Sequence, residues 1–303
     1  MELPSRLSRA AIAPFDRTAF RAYNFSDGNP SMKTVRPLLP AIIFMLAVSS
    51  ALWAGPPFFT DDPVPVDLHN WEFYLASQHL VAGNTVSGTL PHIELNYGAM
   101  ENVQLHLIMP MSYAKPRGLP FRYGPGDIEF GVKFRFVGET SSRPQIGTFP
   151  HVELPAGSSS RGLGGGHMQV LLPVWLQKSW GAWTTYGGGG YWINPGPGNR
   201  NYWMFGWEAQ RDISKSITVG AEVITNSARA IGETGETGLN LGALLSVGKG
   251  QILMFSAGRD LQEQMVAGSR PVAAPNLARD NWSRERPVLL LLRRHLRASS
   301  SRG

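Results

Sequence analysis

The sequence predicts an all-β chain: an antiparallel transmembrane β-barrel of about twelve strands. Three observations predict it. Apolar and polar residues alternate with period two along many segments between Gly55 and Arg259, and none of them carries a 3.6-residue apolar period. Strand starts recur about every 18 residues, which suits membrane-spanning strands of ~9 to 11 residues with short turns at one end and longer loops at the other. Aromatic residues (Tyr97, Tyr113, Phe136, Trp180, Trp183, Tyr191, Trp192, Tyr202, Trp203) gather near the expected strand ends, where interfacial girdles belong.

The strands follow in order. Trp71 to Leu80 comes first, then Pro91 to Tyr97, where Ile93, Leu95 and Tyr97 alternate with His92, Glu94 and Asn96. From Val103 to Tyr113, Leu105, Leu107, Met109 and Met111 alternate with Gln104, His106 and Ser112. After a loop rich in Pro and Gly, Ile128, Phe130, Val132, Phe134 and Phe136 alternate with Asp127, Glu129, Lys133 and Arg135. Ile146 to Leu154 sets Val152 and Leu154 against His151 and Glu153. Later segments repeat the scheme at Met168 to Leu176, Trp183 to Ile193, Tyr202 to Ala209, Ile217 to Val223, Leu239 to Val247 and Ile252 to Ala257. These make eleven.

Two architectures can use this pattern. A soluble sandwich buries the apolar face and wets the polar one; a membrane barrel turns the apolar face to lipid and encloses the polar one. The girdles, the spacing and small residues such as Gly131, Gly147, Gly220 and Gly242 on the polar face favour the barrel. Eleven is odd, whereas bacterial single-chain barrels have an even strand number. The closing strand is therefore expected to be missing or replaced.

Composition narrows the function. The chain has 34 Gly, 23 Pro and 17% charged residues, against about 25% charged in typical domains, which argues against a coiled coil or an acidic disordered protein. It has no Cys, which removes disulfides, thiolate metal sites and Cys nucleophiles. The net charge of +6 is uneven: residues 1–31 contribute +1, 32–54 contribute +2, 55–262 contribute −2 and 263–303 contribute +5. The basic character belongs to the ends, so it does not point to a nucleic-acid partner.

From Met32 the chain reads as a secretory signal peptide, with Lys33 and Arg36 before an apolar stretch from Leu38 to Trp53 and a cleavage point after Ala54. Residues 1–31 read as an upstream extension, 55–262 as the barrel, and 263–303 as a basic tail, disordered or produced by a wrong reading frame.

Several strings carry a resemblance: Gly55-Pro56-Pro57-Phe58-Phe59-Thr60-Asp61-Asp62-Pro63, Thr89-Leu90-Pro91-His92-Ile93-Glu94-Leu95-Asn96-Tyr97-Gly98, Gly126-Asp127-Ile128-Glu129-Phe130-Gly131-Val132-Lys133 and His151-Val152-Glu153-Leu154-Pro155. Over roughly 55–261 the chain resembles the outer-membrane transporters labelled "MetA-pathway of phenol degradation". The resemblance implies a barrel of about twelve strands in the outer membrane of a Gram-negative-type cell. It departs at the C-terminus, where such barrels end on a closing strand with a terminal aromatic.

A polar lumen would be lined by His92, Glu94, His106, Asp127, Glu129, Lys133, Arg135, His151, Glu153 and Glu222. Mixed charges there either pair across strands or form a constriction that selects solutes. His92, Glu94, His151 and Glu153 have the ligand types for a metal, but their proximity is not set by the sequence. Ser77 and His79 stand two apart on one strand, hence on one face, as a nucleophile and base would; no orienting carboxylate is evident. The run Gly162 to Gly166 lacks the Lys-Ser/Thr of a phosphate loop and reads as a flexible loop. The expectation is an exported barrel in contact with outer-membrane lipid that passes or binds small molecules, hydrophobic or aromatic ones among them. Catalysis, a cofactor, a metal and a nucleic-acid partner are not expected. A lipid hydrolase using Ser77 and His79, or a purely structural barrel, are the alternatives.

Overall fold

A computed structural model describes residues 57–82, 84–248 and 250–261, and the backbone of 290–297. The upstream extension and the signal peptide lie outside the described residues, as do 262–289. The strands are β1 (Asn70–Ala82), β2 (Thr85–Met100), β3 (Val103–Pro116), β4 (Arg122–Pro125), β5 (Ile128–Val137), β6 (Gln145–Thr148), β7 (His151–Leu154), β8 (Gln169–Trp180), β9 (Trp183–Ile193), β10 (Tyr202–Ser214), β11 (Ile217–Asn226), β12 (Glu236–Gly248), β13 (Gln251–Asp260) and β14 (Leu290–Arg297).

Among the described residues every pairing of neighbouring strands is antiparallel, and the ladder closes on itself. β6 and β7 are two pieces of one wall strand: both pair with β5 on one side and β8 on the other, and the interruption falls at Phe149-Pro150, where proline cannot donate to a ladder. β4 is a short flap on the end of β3. Counted as positions in the wall, the barrel has twelve strands.

The twelfth corrects the sequence reading. Residues 263–303 were assigned to a tail, yet Leu290–Arg297 forms a strand between β1 and β13, with Asn70 opposite Arg297 and Leu253 opposite Leu292. Its sequence, Leu-Leu-Leu-Arg-Arg-His-Leu-Arg, has no two-residue alternation, so a search for that period passes over it.

The alternating faces sort as a membrane barrel requires. Leu105, Met109, Phe130, Val132, Phe134, Leu172, Val174, Phe205, Trp207, Val219 and Leu241 are exposed on the outer wall. Their alternate neighbours are buried inside, among them Gln104, His106, Lys133, Glu208, Gln210, Glu222 and Asn240. Each large apolar side chain moved from water into hydrocarbon contributes about 1.5–3 kcal/mol, and closure pairs the backbone groups that lipid cannot satisfy. Two-residue turns (Glu101-Asn102, Gly181-Ala182, Lys215-Ser216) and the connection 138–144 lie at one end, and the longer loops 155–168, 194–201 and 227–235 lie at the other, with the short connection from β1 to β2. By the usual asymmetry of such barrels the first end is periplasmic and the second outward.

The girdle expectation needs one correction. Trp180, Trp183 and Trp203 are exposed on the outer wall, whereas Trp192 and Tyr202 are buried and stacked on each other with ring centroids 5.9 Å apart. They pair across β9 and β10 on the inward face. Neighbouring residues of one strand, such as Tyr191 and Trp192, cannot both meet lipid.

Candidate functional site

The lumen is not empty. Residues 57–68 enter it and cross from one wall to the other before β1 begins. The Pro57 carbonyl accepts from the Ser256 hydroxyl at 2.8 Å on β13. Phe58 lies over Gly220 and Gly242, where an added Cβ would stand 2.7 and 2.8 Å from its ring. The backbone N–H groups of Phe59 and Thr60 both donate to the Glu222 carboxylate, which also accepts from Asn240 Nδ2 at 3.1 Å. Thr60 packs over Gly206, and Pro63 over Gly147, where an added Cβ would stand 2.9 Å from the proline Cβ. The Val66 N–H donates to Gln104 Oε1 at 2.9 Å, and Leu68 bridges to Gly98. The small inward residues thus form a track for this segment.

Charge fixes the middle of the crossing. Lys133 Nζ donates to Asp61 Oδ1 at 2.8 Å and lies 3.6 Å from Asp62 Oδ2. Asp62 is 0% exposed and Lys133 5%. Burial pushes the Asp62 carboxyl up to about 7, and the Asp61 charge adds to this, while the Lys133 ammonium opposes it. Beside this pair, Glu208 and Glu222 face each other across β10 and β11, and the Glu208 carboxylate has no hydrogen-bond partner among the described residues.

A second network lies on β2, β3 and β5. Asn96 links it: its Nδ2 donates to Glu94 Oε1 at 2.7 Å, and its Oδ1 accepts from Gln104 Nε2 at 2.9 Å and faces His106 Nδ1 at 2.7 Å. His106 Nε2 meets Glu129 Oε1 at 3.0 Å, and His151 Nε2 lies 3.8 Å from Glu129 Oε2. His92 Nδ1 bonds the Thr89 hydroxyl at 3.2 Å. Of the ten lumen residues expected from sequence, His92, Glu94, His106, Glu129 and His151 share this region, while Lys133 and Glu222 hold the crossing segment.

The other three stand apart. Asp127 precedes β5 and accepts the N–H groups of Gly157 at 2.8 Å and Gly165 at 2.6 Å, so it pins the outer loop 155–168. Arg135 sits towards the periplasmic end, donating to Asn102 Oδ1 at 2.7 Å and Gln145 Oε1 at 3.1 Å. Glu153 meets Gln169 at 3.4 Å near the outer end. Among the described residues, no three His, Cys, Asp or Glu are grouped to hold a metal ion, so the four residues weighed for a metal do not converge on one.

Sequence reasoning missed two features. The polar face is not uniformly polar: Phe149, Leu171, Trp175, Trp192, Tyr202, Met204 and Ile224 form one buried cluster inside the barrel. His106 and His151 meet Phe149 edge-on at 5.0 and 5.4 Å, so this apolar patch abuts the acid–imidazole network. The signal was present, since Leu171 and Trp175 lie on the same face of β8 as Gln177, but apolar residues on both faces of a strand blur the alternation. The other feature is Asp61 and Asp62, which belong to no strand and were read only as part of a motif.

No family model matches the chain, and no curated protein does. Among solved structures it is similar to an outer membrane channel from Pseudomonas putida F1, at TM-score 0.58 and 14% identity, covering 77% of this chain and 97% of that one. The translocator domain of the autotransporter NalP from Neisseria meningitidis matches at TM-score 0.45 and 11% identity, covering 77% and 90%. Salmonella typhi OmpF matches at TM-score 0.31 and 7% identity, covering 75% and 96%. The fold of this chain is that of an outer-membrane β-barrel.

Proposed function

We propose that the chain is an outer-membrane channel that passes small molecules, hydrophobic and aromatic ones in particular, without energy input. Residues 32–54 direct its export, and the apolar outer wall seats it in lipid. The observation that carries the reading is the buried aromatic cluster on the lumen face, Phe149, Trp175, Trp192 and Tyr202 with Leu171, Met204 and Ile224. A small aromatic molecule gains stacking and desolvation against it, about 0.5–1.5 kcal/mol per ring pair beyond area burial.

Flux into proteoliposomes tests this. Phenol-sized aromatics should enter faster than sugars of equal size, and Trp192→Ala with Tyr202→Ala should narrow the difference. No flux of either solute through a barrel that remains heat-modifiable on gels would remove the channel reading. The segment 57–68 supplies the constriction, and deleting it should raise flux and weaken selectivity.

A further inference from the structure

We propose that Ser77, His79 and Tyr113 form a serine-nucleophile site on the outer wall of the barrel that hydrolyses fatty acyl esters of membrane lipids. This activity is separate from the channel, since it uses the opposite face of the wall. β1 alternates from Trp71 to Ala76, with Trp71 and Leu75 exposed to the outside, and pairs residue for residue with β14 as far as Ser77, so by count Ser77 and His79 share that face. By count along β3, Tyr113 falls on the face of Leu105 and Met109, but it is buried there, covered by the Phe121 ring.

The register assembles the three. Opposite Ser77, β2 carries one extra residue at Leu90-Pro91, since Ala76 pairs with His92 while Gln78 pairs with Thr89. One step along, His79, Gly88 and Tyr113 stand in a row across three strands. A Cβ at Gly88 would strike the Gln78 carbonyl and come within 2.9 Å of the Tyr113 hydroxyl. The glycine leaves the middle of the row empty, and the rings of His79 and Tyr113 meet over it, with centroids 5.8 Å apart.

The hydrogen bonds then have the order that nucleophile activation needs. Ser77 Oγ lies 2.6 Å from His79 Nε2, and His79 Nδ1 bonds the Tyr113 hydroxyl. With Nδ1–H donating to the phenol oxygen, Nε2 holds its lone pair towards the serine proton, the tautomer required of a general base. Tyr113 occupies the place where the sequence offered no carboxylate. It is a positioning residue.

The surroundings fit a lipid. The site lies near the outward ends of β1 and β3, and Leu75, Leu90, Phe121 and Tyr123 are exposed around it. Phe121 stacks between Tyr113 and Tyr123. Lys115, two residues outward from Tyr113 and exposed, stands where an anionic headgroup would lie.

Each bond change balances with water as co-reactant. Ser77 Oγ attacks the ester carbonyl carbon while its proton passes to His79 Nε2. The C–O bond to the alcohol breaks, and that proton leaves on the alcohol. Water then attacks the acyl-serine, giving one proton to His79 and its oxygen to the acid, and the proton returns to Ser77.

A fluorophosphonate probe applied to the full chain refolded in lipid vesicles tests the site. One adduct is expected, mapped to Ser77 and absent from Ser77→Ala and His79→Asn, each checked for heat-modifiability. Tyr113→Phe keeps the ring over Gly88; it should slow labelling about 10-fold and move its pH midpoint, which a ring acting only as filler would not do. Fatty-acid release is then measured from phospholipid vesicles and from vesicles containing lipopolysaccharide, and the one that yields acid names the source. No adduct at Ser77 in the folded chain, an adduct indifferent to His79→Asn, or no acid from either vesicle overturns the proposal.

Discussion

Replacing Lys133 by Met tests whether the crossing segment is held by charge. Methionine keeps the length of the side chain and removes the ammonium, leaving Asp61 and Asp62 against the wall without their cation. Breaking a buried ion pair costs about 3–5 kcal/mol. The lower end applies here, because the Asp61 side chain is 26% exposed and can regain water. A loss of about 3 kcal/mol raises the released population of the segment by a factor of about 150. The chain has no cysteine, so Thr60→Cys offers a single thiol at a position 1% exposed over Gly206. Its maleimide labelling rate, normalised to the unfolded chain, reports that population where closing outruns labelling. Lys133→Met should accelerate labelling by at least about 100-fold, on the 3 kcal/mol just derived. A rate within about 3-fold of the parent, in a variant that still folds, refutes the reasoning, since that is under 1 kcal/mol.

Three further outcomes follow from the same geometry. Asp62 has a docked carboxyl near 7 against an ordinary 3.8, so the docked state holds its proton more tightly; the Asp62 contribution to docking is full below about pH 4, fades as pH rises to about 7 and is level above. Normalised Thr60→Cys labelling should therefore climb across that window, and Asp62→Asn should flatten it. Gly242→Leu puts a side chain where Phe58 lies and should eject the segment, read as higher single-channel conductance from a barrel that still folds. Ending the chain after Leu261 removes β14 and leaves β1 and β13 as open edges; no heat-modifiable form should appear on refolding.

Much of the barrel was legible because lipid and lumen impose opposite demands on successive residues, and each of the eleven alternating segments lies on a wall strand. What stayed hidden had no such constraint. Leu290–Arg297 lacks the alternation, and its pairing with Asn70–Ser77 is a fact of closure that no local window carries. The site divides along the same line. His106 and Glu129 were legible as inward residues, but their contact depends on the register of β3 against β5, which puts His106 opposite Gly131 and beside Glu129. Asp61 and Asp62 gain their role from Lys133, some seventy residues on. Ser77 and His79 could be paired by spacing, whereas Tyr113 joins them only across a glycine in the strand between.

The crossing segment also fixes an order of assembly. It leads the described chain, yet its holds are the Ser256 hydroxyl, the glycines of β11 and β12, and Glu222, whose hydrogen bonds to it span 162 and 163 residues. None of these exists until the late strands have joined the wall. Phe58 therefore settles after β12 and β13, and the earliest of the described residues are among the last to become ordered. Contacts so distant in sequence make folding slow. Until then the growing barrel is wider inside than the finished one.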